Sequence, residues 1–235
     1  MFDTSAEFYD AIYGVFKDYR TEADAIASRL RRENPRCKKV LDVGCGTGEH
    51  ARLLGEEGFL VDGLDVDANL LRIAREKHPA GQFHVADMSN FRLSRRYDAV
   101  VCLFSAIGYL KTLDRVALAL TCFSEHLAPG GVIVVEPWFV PGALDEGRVV
   151  RNACDLNGTH IVRLGSVAVE GRLSRLRFDY EITDARGTRR TSELHELGLF
   201  SVAELTALFE AAGLRVDYDS KGLTDRGLYV AVKAA

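Results

Sequence analysis

An apolar run that ends in closely spaced glycines, Val40 to Gly48 (VLDVGCGTG), constrains this chain most. It predicts a buried strand, a tight turn and the start of a helix, because glycine adopts backbone conformations that other residues avoid. A second strand-like run, Phe59 to Leu64, ends at Asp65, seventeen residues after Gly48. In such a unit a ligand can approach the turn backbone, and an acid at the end of the next strand can hold a ribose.

The glycine spacing narrows the choice of ligand. Gly44, Gly46 and Gly48 follow Gly-x-Gly-x-Gly, whereas dinucleotide enzymes carry Gly-x-Gly-x-x-Gly. The spacing therefore disfavours a nicotinamide dehydrogenase. It suits a nucleoside without a pyrophosphate, of which S-adenosylmethionine is the common example. A plain helix-entry turn is the alternative, and the position of Asp65 favours cofactor binding over it.

Composition excludes several classes of protein. The 235 residues suit one large domain, or one domain with an inserted lobe, and the net charge of −4 gives no basic character for nucleic acid. No apolar run approaches the ~20 residues of a membrane span. Acids near the N-terminus (Asp3, Glu7, Asp10) argue against a secretory signal. Five scattered cysteines favour reduced thiols in the cytoplasm, and no histidine has metal-ligand spacing, so we expect no metal.

Strand-like and helix-like segments alternate between residues 39 and 136. We expect helices over 18–32, 47–55, 68–77 and 113–127, and strands over 39–43, 59–64, 82–85, 97–103 and 132–135. This alternation predicts an α/β fold with a doubly wound, mainly parallel sheet, whose ligand lies beyond the carboxyl ends of the strands. Asp42 to Gly46, Asp65, Asp87 and Leu103 all fall at such ends.

The rhythm changes after Glu136. Strands over 160–169, 172–182 and 189–197, joined by Gly or Asp turns, predict an antiparallel β meander. A helix over 201–212 follows, with Ser201 as its cap and Glu204 as the capping-box partner, and then a strand pair over 214–218 and 228–232. We therefore expect a cofactor domain over 1–137 and 200–235, and an inserted antiparallel substrate-binding lobe over 138–199.

Five segments carry a resemblance to a known family: Tyr9-Asp10-x-x-Tyr13, Lys17-Asp18-Tyr19, Phe104 to Thr112, Val134 to Trp138, and Arg226-Gly227-Leu228. With the glycine turn, they resemble class I S-adenosylmethionine-dependent methyltransferases, in particular the N,N-dimethyltransferases of nucleotide-linked amino sugars (desosamine and mycaminose type). The resemblance implies a seven-stranded, mainly parallel sheet, a role in antibiotic biosynthesis, and a homodimer. The chain departs from those enzymes by one residue fewer between Tyr13 and Lys17.

The expected cofactor ligands are Arg20, Asp42, Gly44, Gly46, Asp65, Val66, Asp87, Met88 and Leu103. Asp65 would take both ribose hydroxyls, because a carboxylate accepts two bonds; its alternative role is to cap the helix over 67–77. Asp42 would bind the cofactor's amino group or order the turn. The resemblance places Asp87 and Met88 at the adenine, where capping a loop turn is the alternative for Asp87. Arg20 would clamp the cofactor carboxylate or be a solvated helix arginine.

The expected acceptor ligands are Tyr13, Ala106, Trp138, Arg163 and Arg226, with Tyr109 and His195 as catalytic candidates. The resemblance makes Tyr13 a substrate contact, Tyr109 a residue that faces the methyl-transfer centre, and Arg226 a diphosphate ligand. Sugar stacking and core packing are both open for Trp138. A lone strand histidine is more often structural, which is the alternative for His195.

These residues together predict in-line transfer of methyl groups from S-adenosylmethionine to the amine of a nucleotide-diphosphate-linked amino sugar, in two rounds. Two alternatives stay open: a methyltransferase for another small-molecule acceptor, and a binding module without catalysis. The expected partner is this small molecule, with neither nucleic acid nor membrane.

Overall fold

The computed structural model describes residues 5–234, which form two sheets flanked by helices. The strands are β1 (Lys39–Val43), β2 (Leu60–Asp65), β3 (Phe83–Val85), β4 (Tyr97–Cys102), β5 (Leu127–Val135), β6 (Val149–Leu156), β7 (Thr159–Glu170), β8 (Leu173–Asp184), β9 (Gly187–Gly198), β10 (Leu214–Asp219) and β11 (Leu228–Lys233). The α-helices are α1 (Tyr9–Gly14), α2 (Tyr19–Glu33), α3 (Glu49–Glu56), α4 (Ala68–Lys77), α5 (Leu113–His126) and α6 (Val202–Ala211). Two short 3₁₀ helices cover Ala6–Phe8 and Ala106–Leu110.

The larger sheet has seven strands in the order β10-β11-β5-β4-β1-β2-β3, and only the pairs that β11 makes with β5 and β10 are antiparallel. The predicted doubly wound, mainly parallel sheet is therefore confirmed. Its central strands are apolar without alternation, because helices cover both faces. The strand order reverses between β1 and β4, and a crevice opens there at the carboxyl ends.

Helix boundaries follow the local signals closely. Helix α4 spans the predicted residues, and Asp67 caps it by accepting hydrogen bonds from Asn69 and Leu70 at 2.9 and 3.3 Å. The capping box of Ser201 and Glu204 is present at the start of α6. Helix α3 begins two residues later than expected, because Gly48 has a left-handed φ of 74°.

The second sheet is antiparallel, in the order β6-β7-β8-β9, and lies within the predicted lobe range. Three of its strands match the predicted meander. The first, β6, was not predicted because its middle is polar, although Asn157 and Gly158, with φ of 49° and 78°, form the two-residue turn that joins it to β7. Alternation along β7, β8 and β9 turns one face toward the larger sheet and the other outward.

The first described residues form a strap over the gap between the two sheets. We define the N-terminal strap as residues 5–17, most of which is helical although no helix was predicted there. Phe8 and Ile12 pack against Ile161, Tyr180 and Ile182 of the antiparallel sheet. On the other side, Asp10 accepts a hydrogen bond from Thr47 at 2.6 Å and pairs with Lys77.

Across residues 5–234, no helix has both the length and the hydropathy that a bilayer crossing needs.

Candidate active site

A cavity of about 500 Å³ lies where the strap, the strand ends and the antiparallel sheet meet. Its floor is the glycine turn after β1 and the ends of β2 and β4, and its roof is the strap and the inner face of the antiparallel sheet. The predicted site residues that line it are Tyr13, Asp42, Gly44, Gly46, Asp65, Val66, Asp87, Met88, Leu103, Ala106, Tyr109, Trp138, Arg163, His195 and Arg226. The fold thus brings both predicted sets of ligands to one cavity.

The glycine turn lies against the end of β2. Gly44 donates to the Leu64 carbonyl at 2.7 Å, and the Gly46 N–H donates to Oδ2 of Asp65 at 2.8 Å. A Cβ atom at Gly46 would meet no atom within 4 Å, so the backbone there is open to the cavity. A flat ligand can therefore lie directly on the peptide groups of this turn.

Two carboxylates flank the turn. Each oxygen of the Asp65 carboxylate accepts one backbone hydrogen bond: Oδ2 from Gly46, and Oδ1 from Asp67 at 2.9 Å. Asp67, not Asp65, caps α4. Each oxygen keeps a second acceptor site, enough for two ribose hydroxyls. Asp42 is almost fully buried, and its Oδ2 has no hydrogen-bond partner within residues 5–234. Burial raises the pKa of Asp42 to about 6, so a cationic amino group there would satisfy this carboxylate.

At the other side of the turn, Asp87 accepts from the N–H and the hydroxyl of Ser89 at 2.8 and 2.7 Å and pairs with Arg115. It therefore caps its loop, as the alternative reading had it, and still lines the cavity. Although burial opposes it, these bonds hold the pKa of Asp87 below its usual value. The sequence did not predict a role for Arg115, because this residue lies on α5, 28 residues after Asp87, and only the fold brings the two together.

Arg20 is not brought to the cavity. Its guanidinium pairs with Glu56 on the outer surface of α3, and about half of its side chain is exposed. The buried stripe of α2 begins at Glu22 and Ala23, which turns Arg20 toward solvent. Arg20 is therefore a solvated helix arginine, which was the alternative to a cofactor clamp. His50 lines the cavity instead, held by Glu22 through a 3.0 Å bond from Nε2.

Arg163 dominates the roof of the acceptor half. It is 4% exposed and stacks over Tyr13 at 4.7 Å and Phe178 at 4.6 Å, centroid to guanidinium carbon. One nitrogen donates to Asn152 at 3.0 Å, while Nε and Nη1 have no hydrogen-bond partner within residues 5–234. Arg175 of the same sheet lies on the outward face of β8, where it pairs with Glu170 and Glu196.

Arg226 closes the same half from the C-terminal loop. It donates to the fully buried Glu136 at 2.9 Å, and its Nε has no partner among the described residues. Glu136 also accepts from the Phe104 N–H at 2.7 Å, which holds the start of the loop after β4. The sequence alone predicted no site role for Glu136. Trp138 points its indole N–H at Ser174, at 2.8 Å.

Lys17 adds a third cation that sequence reasoning missed. Its ammonium is buried, pairs with Glu22 and lies 4.2 Å above the ring of Phe104. Burial holds the pKa of Lys17 below its ordinary value although Glu22 opposes the shift. Arg163 and Arg226 thus line the cavity together with several aromatic rings, and Lys17 packs on one of these rings, Phe104, without lining the cavity itself.

Tyr109 stands between the two halves, on the 3₁₀ helix Ala106–Leu110. Its hydroxyl is 3.1 Å from Nδ1 of His195, which is buried on the inner face of β9. Burial raises the pKa of Tyr109 well above its ordinary value, so the phenol stays protonated at neutral pH. Within residues 5–234, no group of three metal-ligating side chains comes together.

The comparisons with known proteins agree with this geometry. A methyltransferase-domain family model matches residues 15–218. The chain is 40% identical over 231 residues to dTDP-3-amino-3,4,6-trideoxy-alpha-D-glucopyranose N,N-dimethyltransferase of Streptomyces venezuelae, covering 97% of this chain and 98% of that one. It is 33% identical to dTDP-4-amino-2,3,4,6-tetradeoxy-D-glucose N,N-dimethyltransferase of Saccharopolyspora spinosa, covering 97% and 92%.

Among solved structures, SAM-bound CalS10, an amino pentose methyltransferase from Micromonospora echinaspora, superposes with a TM-score of 0.88 at 36% identity. The match covers 97% of each chain, so the two sheets and the segments between them recur together.

Proposed function

Because this chain belongs to the S-adenosylmethionine-dependent methyltransferases, and within them to the N,N-dimethyltransferases of nucleotide-linked amino sugars, we propose that it methylates the amine of a nucleotide-diphosphate-linked amino sugar. The family resemblance seen in the sequence is thereby confirmed. One observation carries the choice of acceptor: Arg163 and Arg226 are both buried in the lining of the cavity, and both leave guanidinium nitrogens without hydrogen-bond partners in the described chain.

The cofactor end fits S-adenosylmethionine, which supplies an electrophilic methyl group on a sulfonium. The open backbone at Gly46 takes the nucleoside, and Asp65 takes the ribose hydroxyls. Asp42 binds the amino group, because its buried Oδ2 needs a donor. Met88 and Leu103 close the two sides of the adenine pocket, and Val66 lines the cavity beside Asp65.

The acceptor end suits a diphosphate. Arginine presents a rigid fork of donors that matches phosphate oxygens, and Arg163 has two such donors to offer. The rings of Tyr13 and Phe178 stack on this planar guanidinium and partly desolvate it, which strengthens its attraction for an anion. Trp138 and Ala106 then line the space where the sugar lies.

The chemistry at the centre requires orientation more than a strong base. The amine must arrive neutral, with its lone pair aimed along the bond to the departing sulfur. Positioning of this kind is worth up to ~7–11 kcal/mol in the best intramolecular models. Tyr109 stands at the junction and can hold the amine through its hydroxyl. Two rounds require the product of the first to be turned so that its lone pair faces the methyl group again.

Mass spectrometry of the acceptor tests this proposal. We expect wild-type protein with S-adenosylmethionine to add one and then two methyl groups to a dTDP-linked 3-amino or 4-amino sugar. The matched comparison is the same sugar without its nucleotide diphosphate, which should be a poor acceptor. If none of these dTDP-linked amino sugars is methylated while other small amines are, the amino-sugar proposal is wrong and the methyltransferase assignment stands.

Three expectations stay proposals here: the division into a cofactor domain and an inserted lobe, the homodimer, and the cytoplasmic location. Light scattering on the purified chain tests the dimer directly. A mass of one chain at micromolar concentration would remove it.

A further inference from the structure

We propose that Glu193 is a positioning residue, which fixes the proton on His195 and thereby turns Tyr109 into an oriented acceptor for the substrate amine. The proposal rests on the proposed function. Nothing in the sequence pointed to Glu193, because its role appears only when β9 is placed against the strap and the 3₁₀ helix. Three side chains form the relay, and we define it as Glu193, His195 and Tyr109.

The sheet places the first two members. Glu193 and His195 are two residues apart on β9, so both face inward, and the exposed Leu194 between them faces outward. Glu193 is 9% exposed and His195 is 1% exposed. A carboxylate and an imidazole at such depth keep a fixed relation, because neither can turn to water.

Glu193 accepts three hydrogen bonds, from Ser5 and Tyr180. Ser5 donates its N–H to Oε1 at 3.1 Å and its hydroxyl to Oε2 at 2.9 Å, and the Tyr180 hydroxyl donates to Oε2 at 3.2 Å. Burial alone would raise the pKa of Glu193, but the bonds from His195 and Ser5 hold it below its usual value. The side chain is therefore a carboxylate that accepts only.

This charge decides which ring nitrogen of His195 carries the proton. Nε2 lies 3.5 Å from Oε2 of Glu193, and a lone pair there would face a negative charge. The neutral ring must therefore carry its proton on Nε2, which leaves Nδ1 as an acceptor. The Tyr109 hydroxyl, 3.1 Å from Nδ1, then has to donate to it. Both lone pairs of the Tyr109 oxygen stay available to the cavity.

The relay also gives the proton of the amine a path. As the nitrogen–carbon bond forms, the sulfur–carbon bond breaks and its electron pair stays on sulfur, which leaves a methylated ammonium. The ammonium gives one proton to the Tyr109 oxygen, whose own proton passes to Nδ1 of His195. The imidazolium formed faces the carboxylate of Glu193 and returns the proton to solvent when the product leaves. A neutral methylated amine remains, ready for a second round.

The tautomer of His195 tests this relay without any turnover. On ¹⁵N-labelled protein, two-bond ¹H–¹⁵N correlation spectra distinguish a ring protonated on Nε2 from one protonated on Nδ1, and Glu193 requires Nε2. Loss of the signal in His195→Gln assigns it. A wild-type ring protonated on Nδ1 overturns the proposal, even if the protein methylates no acceptor and the proposed function has failed.

Kinetics of a double-mutant cycle supply the second test. Glu193→Gln should lower kcat on the order of tenfold, a part of the ~10²–10⁴ that general acid–base groups contribute, with acceptor KM unchanged within about twofold. In a Tyr109→Phe background the same change should have no further effect, because Glu193 acts through Tyr109. Equal losses in both backgrounds indicate a merely structural role and overturn the proposal.

Two further variants make the comparison specific. Glu193→Asp keeps the charge and should retain more of kcat than Glu193→Gln. Glu181→Gln removes a carboxylate from the outward face of the same sheet, where it pairs with Arg190, and should leave kcat unchanged. If Glu193→Gln does not fold, His195→Gln takes its place in the cycle, and a loss of kcat that is equal in the wild-type and Tyr109→Phe backgrounds would contradict the relay.

Discussion

The two halves of the cavity are built by different means. The cofactor half consists of backbone groups and acids at the carboxyl ends of neighbouring parallel strands, within Asp42 to Asp87. The acceptor half consists of long side chains from the strap, the antiparallel sheet and the C-terminal loop. The arrangement of the cofactor half is determined by the parallel sheet, because the ends of its strands form that half. A half made by side chains from distant segments depends on how those segments pack, which leaves it free to vary between relatives.

The largest difference between the halves should appear at Asp65. Asp65→Ala removes two charge-assisted bonds to the ribose and the anchor of Gly46, a loss of about 4 kcal/mol, or about a thousandfold in affinity. Calorimetry with S-adenosylhomocysteine measures it. Affinity for a nucleotide diphosphate should stay near wild type, and a comparable loss there would erase the proposed separation of the halves.

The next largest effect is expected at Arg226, whose substitution should affect both acceptor binding and the stability of the fold. Arg226→Met leaves the buried carboxylate of Glu136 without its cation and should lower the free energy of unfolding by about 3 kcal/mol. Urea unfolding measures this loss, and the double variant with Glu136→Gln should recover most of it. If the double variant regains stability but its KM for the acceptor stays raised, Arg226 has a role in binding beyond its pairing with Glu136. Full recovery of both would remove its role as a ligand.

A smaller and opposite effect is expected at Asp42. The folded-state pKa of about 6 lies above the ordinary value of 3.8, so this group favours the folded chain below pH 4 and loses that contribution as pH rises through 6. The pKa shift corresponds to a loss of about 3 kcal/mol in the free energy of unfolding at pH 7. Asp42→Asn replaces the charge with a neutral amide and should restore about 2 kcal/mol of this stability at pH 7. Thermal unfolding at pH 4 and pH 7 tests this, together with a weaker Kd for S-adenosylmethionine. A variant less stable than wild type at pH 7 would contradict it.

The smallest effect should come from Arg20. Its pair with Glu56 is exposed to solvent, which weakens the attraction between the two charges, and it lies outside the cavity. Arg20→Ala should therefore change the Kd of S-adenosylmethionine by less than about twofold. A tenfold loss would show that the strap or α2 rearranges on binding and would restore the clamp inferred from the sequence.

The two halves also differ in how far the sequence predicted them. The glycine turn and Asp65 belong to one local strand–turn–helix pattern, and the caps of α4 and α6 are local as well, so short-range rules were enough. Glu193 meets Ser5 across 188 residues and Glu136 meets Arg226 across 90, and no local pattern records such contacts. Arg20 failed for a related reason, since helical periodicity does not fix which flank of the buried stripe faces the cavity.

The strap has a consequence for how this kind of chain diversifies. Tyr13 reaches Arg163 from a helical turn that contributes nothing to the parallel sheet, and a short link from Tyr13 to Lys17 leads from this turn toward α2. An insertion or deletion there shifts the aromatic ring against the guanidinium while every strand keeps its register. Natural variation in the length of this link is therefore a route to new sugar preferences with little penalty in folding, and grafted links are where engineering of acceptor range should begin.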